Sequence, residues 1–417
     1  MGKYLCKKPA YHFPIAKKGK TRMLMKGNLT KAASSKRAQG KAWKQTPYNR
    51  TGNKAPRVDR LKWKRTFQYL SSLNEYDAIQ VLKDDGLMPT WEGAVCPFCS
   101  QGKVGPLTKR SGGLPRYRCK RWGCQKFITP QHLHPLFTAT RGPEGHSLGV
   151  QAGMLLLRLA NVPLSTIHVV TQINHKAIER MEHNLTLVRK KFVEETQRTM
   201  SFGGKGNKWQ DVEVDESVFD KKLIPIEEAD DPTKVMDWEQ WVGMVQRGKP
   251  ESLVLLRLTP PPTKKRSPGP GPIRRDDWKK ISDRWLKGKH VILHSDSARA
   301  YKLKIPGVVH GSVVHKKRRV QVGKKWVWQQ PTYVKIKKVT LPGGRKVTVK
   351  IGTQIVDRGW RFVKERLRVN QRAKTGSLRI IAQIRSAQYE YWNRGKDMWL
   401  ETGSLMRRYM SNIIAQK

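Results

Sequence analysis

The chain has 417 residues, enough for two or three domains, and its 37% hydrophobic content can supply a core over most of that length. Lys and Arg number 84 against 32 Asp and Glu, a formal charge of +52. Self-repulsion of that size calls for a polyanionic partner. No apolar run approaches the ~18 residues that would span a bilayer, and the N-terminus lacks the apolar segment of a secretory signal.

Residues 1–58 hold sixteen Lys/Arg and no Asp or Glu. Such a segment buries too little apolar surface to fold alone, and we read it as a disordered basic arm for phosphates or nuclear import. A mitochondrial presequence is the competing reading, opposed by the excess of Lys over Arg. Order is expected from near Leu61. Leu70, Leu73, Ala78, Val81 and Leu82 predict one or two short helices that end at Gly86.

Four of the five cysteines form two close pairs, Cys96-Pro97-Phe98-Cys99 and Cys119-Lys120-Arg121-Trp122-Gly123-Cys124. Four thiolates in two turn-forming pairs satisfy a tetrahedral structural zinc. His132 or His134 in place of one cysteine is the alternative. The flanking Lys109, Arg110, Arg116, Arg118, Lys120, Arg121 and Lys126 make this region, 59–140, an expected DNA-binding ribbon. Cys6 lies in the basic arm and receives no role.

Residues 141–200 carry the strongest helical pattern. Met154–Leu157 and Leu159 form an apolar helix broken by Asn161 and Pro163. Ser165 is placed to cap a short helix over Thr166–Thr171. Asn174 is placed to cap a third helix, on which Ile178, Met181, Leu185 and Val188 keep helical spacing. Short helix, tight turn and longer helix outline a helix-turn-helix, and an ordinary helical bundle explains the pattern equally well.

After the Gly203-Gly204-Lys205-Gly206 linker the period shifts toward two. Val212/Val214, Trp241–Val245, Leu253–Leu258 and Val291–Leu293 read as strands. A basic, Pro-rich loop at 259–275 precedes a helix containing Trp278, Ile281 and Trp285. Three acids then mark element ends. Asp215 closes a strand, Asp296 follows Val291-Ile292-Leu293-His294-Ser295, and Asp357 opens a helix that continues through Phe362 and Val363. Carboxylates from two strand ends and a nearby helix can bridge two magnesium or manganese ions about 3.5–4 Å apart, the arrangement that phosphodiester cleavage uses. Glu365 is the fallback for the third position, Glu213 and Glu216 are neighbouring carboxylates, and His294 and His310 are possible assistants. Between Asp296 and Asp357, the segment 316–350 holds twelve Lys/Arg and no acid. Trp326-Val327-Trp328, Tyr333–Ile336 and the turn at Pro342-Gly343-Gly344 predict an inserted basic β-hairpin or small sheet that clamps a DNA backbone, with a solvated charged loop as the alternative.

From about residue 67 to 400 the chain resembles the insertion-sequence transposases whose eukaryotic relatives are the Merlin elements. The order of the pieces carries the resemblance. Trp91, Cys96-Pro97-Phe98-Cys99, Tyr117-Arg118-Cys119 and Phe127 look like that family's N-terminal zinc ribbon. Glu213-Val214-Asp215-Glu216 looks like its first catalytic strand, and Trp241-Val242-Gly243-Met244-Val245 with Arg247 like the second strand. Ser295-Asp296 and Tyr301 look like the second acid motif, with His310 and His315 downstream. Thr353-Gln354, Asp357, Trp360 and Lys364 look like the helix of the third acid, and Tyr389-Glu390-Tyr391-Trp392 with Arg394 like the C-terminal helix. This chain departs from the family pattern in having Asp rather than Glu at the third position and a longer, basic spacer before it.

The resemblance implies a ribonuclease-H-like domain over 205–400, with Asp215, Asp296 and Asp357 as the catalytic DD(E/D) residues and ligands of magnesium or manganese. The expected fold is therefore α/β, or α+β overall: a zinc ribbon on Cys96, Cys99, Cys119 and Cys124, a helix-turn-helix-like region, a mixed sheet with flanking helices, and a tail at 401–417. The expected activity is DNA cleavage at transposon ends and strand transfer. Its partners are end and target DNA and further copies of the chain, with no membrane involved. Its place is the nucleus in a eukaryote or the nucleoid otherwise. The alternatives are a transposase-derived protein that binds DNA without cutting it and a structural ribosomal protein. The latter explains the charge and the cysteines but not three spaced acids.

Overall fold

The computed structural model describes residues 61–110, 113–139, 145–204, 208–368 and 374–415. The expected basic arm, 1–58, lies outside them. Helices α1 (Phe67–Ser71) and α2 (Glu75–Asp84) open the described chain, capped by the Thr66 and Asn74 side chains. A small antiparallel sheet follows, in the order β1 (Thr108–Arg110), β2 (Gly113–Arg118), β3 (Phe127–Ile128). It carries its own core of Trp91, Cys96, Val104, Tyr117, Cys119 and Ile128.

Three helices come next: α3 (Leu148–Leu159), α4 (Leu164–Thr171) and α5 (His175–Thr199). Ser147 caps α3, and Asn174 caps α5 by accepting from the Lys176 N–H. The short helix starts two residues earlier than expected, at Leu164 behind Pro163, so Ser165 lies inside it and not at its cap. Gln172 takes the left-handed conformation that ends α4 and turns the chain into α5.

The main sheet has five strands in the order β6-β5-β4-β7-β8. They are β4 (Gln210–Leu223), β5 (Met236–Gln246), β6 (Val254–Leu258), β7 (Val291–Ser295) and β8 (Val308–Ser312). The first three form an antiparallel meander. After the crossover helix α6 (Arg275–Trp285), β7 and β8 add in parallel on the other side of β4. One face packs on α6 through Val212, Val214, Val242, Trp278 and Trp285. The other face, through Trp241, Val245 and Leu255, packs on α7 (Gln354–Lys364) and α8 (Leu378–Trp392).

Between β8 and α7, where a hairpin or small sheet was expected, lie two antiparallel ribbons: β9 (Arg318–Val322) with β10 (Lys325–Gln329), and β11 (Lys335–Thr340) with β12 (Lys346–Ile351). Val339, Leu341, Val349 and Ile351 anchor the second ribbon against Ile292 and Val313.

Two boundaries differ from those read in the sequence. Residues from 401 to 415 are not a tail: they belong to α9 (Met398–Ala415), which buries Thr402, Gly403, Leu405, Met406 and Met410. The indole of Trp399 donates to Asp85 at 2.8 Å, and Arg65 and Lys64 pair with the same carboxylate, so the two ends of the described chain are stapled together. Nor does the core divide near residue 200. One continuous cluster joins α1–α5 to α7, α8, α9 and the sheet. Arg189 of α5 donates to Glu390 of α8 at 2.7 Å, and Gln197 of α5 bonds both the N–H and the carbonyl of Leu255 in β6.

Candidate functional site

Asp215 sits on the central strand, where β4 outruns its parallel neighbour. The pairing of β4 with β7 ends at Glu213 and His294, so the edge of β4 beyond it is open on that side. Asp296, the first residue after β7, turns into this gap, held there by the Ala298 N–H at 2.9 Å. Carboxylate oxygens of Asp215, Glu216 and Asp296 lie within 4.8 Å of one another. Glu216 is the member the sequence reading did not place in the site. A strand sends adjacent side chains to opposite faces, but the bare edge of β4 beyond Glu213 lets both Asp215 and Glu216 turn toward Asp296. The Ile273 N–H donates to Glu216 at 3.0 Å.

Asp357 comes to the cluster from the first turn of α7. It accepts from Thr353 at 3.2 Å and lines one cleft with Asp215 and Glu216. It is outside the tight group of three and meets it through Asp215. Asp215, Glu216, Ser217, Asp357, Trp360, Arg361, Lys364 and Glu365 line a cleft of about 600 Å³, acidic at one end and basic at the other. Glu365, the fallback third acid, pairs with Arg361 at 2.9 Å across one helical turn.

Two features hold α7 over the sheet. The first is a buried ion pair. Glu213, on the same face of β4 as Asp215, accepts from the Ile355 N–H at 2.6 Å, the Val356 N–H at 3.0 Å and Arg247 Nε at 2.7 Å. These two amides are orphan donors of the first helical turn, where the positive end of the helix dipole favours a carboxylate. Arg247 then donates to the carbonyls of Lys350 and Gly352 at 2.6 and 2.8 Å. The second feature is Gly243, which pairs with Asp215 across β4 and β5. A Cβ there would lie 2.6 Å from the Trp360 ring, so only glycine lets α7 approach this closely.

The electrostatics follow the crowding. Burial, with Glu216, Asp357 and Asp296 around it, pushes the Asp215 carboxyl up to about 8. Burial likewise raises Glu216, with the Asp296 charge adding to it. Asp357 is raised by burial and partly relieved by Thr353, His315 and Asp215. Several carboxylates crowded in one cleft repel one another at a cost to stability, and such a group could hold cations. His294 and His310 do not join the cluster: His294 bonds Asp211 and His310 bonds Ser295, each at 2.7 Å, and burial lowers both to about 4.

The second metal-competent group lies in the small N-terminal sheet. The sulfurs of Cys96, Cys99, Cys119 and Cys124 lie within 4.8 Å of one another. Cys96 to Cys124 and Cys99 to Cys119 are 3.9 Å apart. The Gly102 N–H, with that of Gln101, lowers the Cys99 thiol to about 6, and burial raises Cys119 to about 11. Gly102 is required, since a Cβ there would lie 2.5 Å from the Cys119 sulfur. His134 is not part of this group: its ring bonds the Leu87 carbonyl and accepts from the Leu136 and Phe137 N–H groups. His132 instead packs its ring beside Trp91 and Phe98.

Compared with family models, with curated proteins and with solved structures, the chain matches none.

Proposed function

We propose that this protein is a DNA transposase of the DD(E/D) type, acting with magnesium or manganese. The observation that carries the reading is the meeting of the Asp215, Glu216 and Asp296 carboxylates within 4.8 Å of one another, with Asp357 brought to Asp215 and Glu216 in the cleft from α7. The sheet supports the ribonuclease-H-like fold that the resemblance implies: acids on the central strand, after its parallel neighbour and on a helix across one face. Divalent ions in such a site lower the pKa of a bound water and neutralise charge on the phosphate. The chain's own contribution is positioning. Asp215, Asp296 and Asp357 hold the cations, Glu216 completes the set, and Arg361 and Lys364 face the DNA backbone at the basic end. No side chain is needed as a covalent nucleophile; water attacks first, and the freed 3′-hydroxyl then attacks the target.

The four cysteines suit a structural zinc. With zinc–sulfur lengths of about 2.3 Å, tetrahedral sulfurs stand about 3.8 Å apart, and two of the pairs here are 3.9 Å apart. In this reading the ribbon, the basic arm and further copies of the chain assemble on the transposon ends.

Asp215→Asn, Asp296→Asn and Asp357→Asn each keep shape and remove a charge. Strand cleavage of end DNA with magnesium or manganese should vanish in each variant while DNA binding persists. A wild-type protein that binds such DNA and cuts it with neither metal would instead be a DNA-binding relic.

A further inference from the structure

Among the described residues the strands β9 and β10 pair only with each other. Every residue of β10 is exposed. An isolated two-stranded hairpin is only marginally stable in water, so its exposed surface calls for a ligand. Cross-strand register puts Trp326 opposite Gln321 and Trp328 opposite Arg319, with both indoles on one face. The two rings are 60% and 55% exposed. Lys317 Nζ lies 5.1 Å from the Trp328 ring centre, and the Arg319 guanidinium lies 5.9 and 5.8 Å from Trp326 and Trp328.

We propose that this face is a stacking platform for unpaired bases of the DNA strand that enters the carboxylate cleft. The ligand must be flat and apolar to cover two indoles, and polyanionic to sit among six Lys/Arg, and no acid, in 316–329. An unpaired DNA strand is both, since every base has a π-face and every linkage a charge. Residues two apart on a strand are about 6.8 Å apart, so the two rings stand side by side on one face, within reach of neighbouring bases of one strand.

The root of the ribbon ties it to the active cleft. The Thr332 N–H donates to the Val314 carbonyl at 2.8 Å, and His315 packs on Tyr333 with ring centres 5.1 Å apart. Gln354, at the start of α7, donates to the Tyr333 carbonyl at 2.5 Å. Trp328 is four residues from Thr332, a reach of at most about 14 Å in extended chain. A strand whose phosphate lies at Asp357 thus meets the platform within a few nucleotides.

This inference rests on the transposase reading for the role of the bound strand, but its test needs no cleavage. The full-length protein, without added divalent metal and at one ionic strength, is titrated with three labelled probes: oligothymidylate, an abasic strand of equal length, and a duplex of equal length. Trp326→Ala and Trp328→Ala should each weaken oligothymidylate binding at least about five-fold and leave the other two probes unchanged. Trp328→Phe should keep most of the affinity. Val327→Thr, on the same strand but the opposite face, should bind as wild type. Undiminished oligothymidylate binding by the alanine variants overturns the proposal. So does an equal loss on all three probes, which marks a phosphate-only or protein-binding surface, or an equal loss in Val327→Thr. A protein that prefers the oligothymidylate through these rings yet never cuts DNA sinks the nuclease reading and leaves the platform standing; one that cuts DNA and ignores the tryptophan changes does the reverse.

Discussion

Glu213→Ala tests whether the buried ion pair sets the position of Asp357. Glu213 and Arg247 side chains are each 1% exposed. Removing one member of a buried pair costs about 3–5 kcal/mol, because the other charge is left behind. Arg247 keeps its bonds to the Lys350 and Gly352 carbonyls, which favours the lower end. The lost acceptor for the Ile355 and Val356 amides adds roughly 1 kcal/mol, as for a removed helix cap. The expected total is therefore about 4 kcal/mol. Glu213→Gln keeps an oxygen acceptor and loses the charge, for about 2 kcal/mol. Urea denaturation gives the totals. Amide hydrogen exchange localises them: protection should drop at residues 355 and 356 before it drops in β4. Arg247→Met combined with Glu213→Ala should cost clearly less than the two changes added, the mark of direct coupling. In the cleavage assay, Glu213→Gln should slow turnover through misplacement of Asp357 while leaving DNA affinity in place. An unchanged urea midpoint, or intact protection at 355 and 356 in Glu213→Ala, would refute the idea that this pair holds α7.

Gly243→Ala places a Cβ 2.6 Å from the Trp360 ring and should cost about 1–3 kcal/mol by overpacking. Trp360→Phe in the same chain should recover part of the loss in a denaturation midpoint, since the smaller ring vacates that space. His134 is held neutral, its pKa lowered from 6.5 to about 4 mainly by burial. Its contribution is thus complete above pH 6.5 and fades as the pH falls toward 4, by about 3 kcal/mol. The stability gap between wild type and His134→Ala should narrow across that window, and a constant gap counts against a neutral buried ring. Cys96→Ser should release the zinc, read as metal content per chain with a chromogenic chelator. The core around Trp91 and Tyr117 should loosen while the five-stranded sheet keeps its hydrogen-exchange protection. Retention of zinc by this variant would exclude Cys96 as a ligand.

Local patterns in the chain were enough to mark the strands around Val212, Trp241, Leu253 and Val291, the helices around Met154 and Ile178, and the cysteine pairs. These signals are short-range: a side-chain period of two or 3.6, a capping Asn174, a two-residue gap between thiols. The same patterns marked Asp296 and Asp357 at element ends, and the order of the family-like motifs linked them to Asp215, which was read as closing a strand but lies inside β4, since the strand runs on to Leu223. Tertiary structure decided the rest. Glu216 enters the cluster because β7 stops short beside β4, a fact of strand register between residues about 80 apart that period alone cannot carry. Glu213 looked like one more acid near the site; it became the anchor of α7 when the fold delivered two orphan amides and a buried guanidinium to it. The last seventeen residues read as a tail because helix α9 is apolar on a face whose partners lie more than 300 residues earlier, at Asp85 and its neighbours. A sequence shows which residues seek burial and which seek a partner; only the closed chain determines which ones meet, because hydrogen bonds and packing act across space regardless of the separation along the backbone.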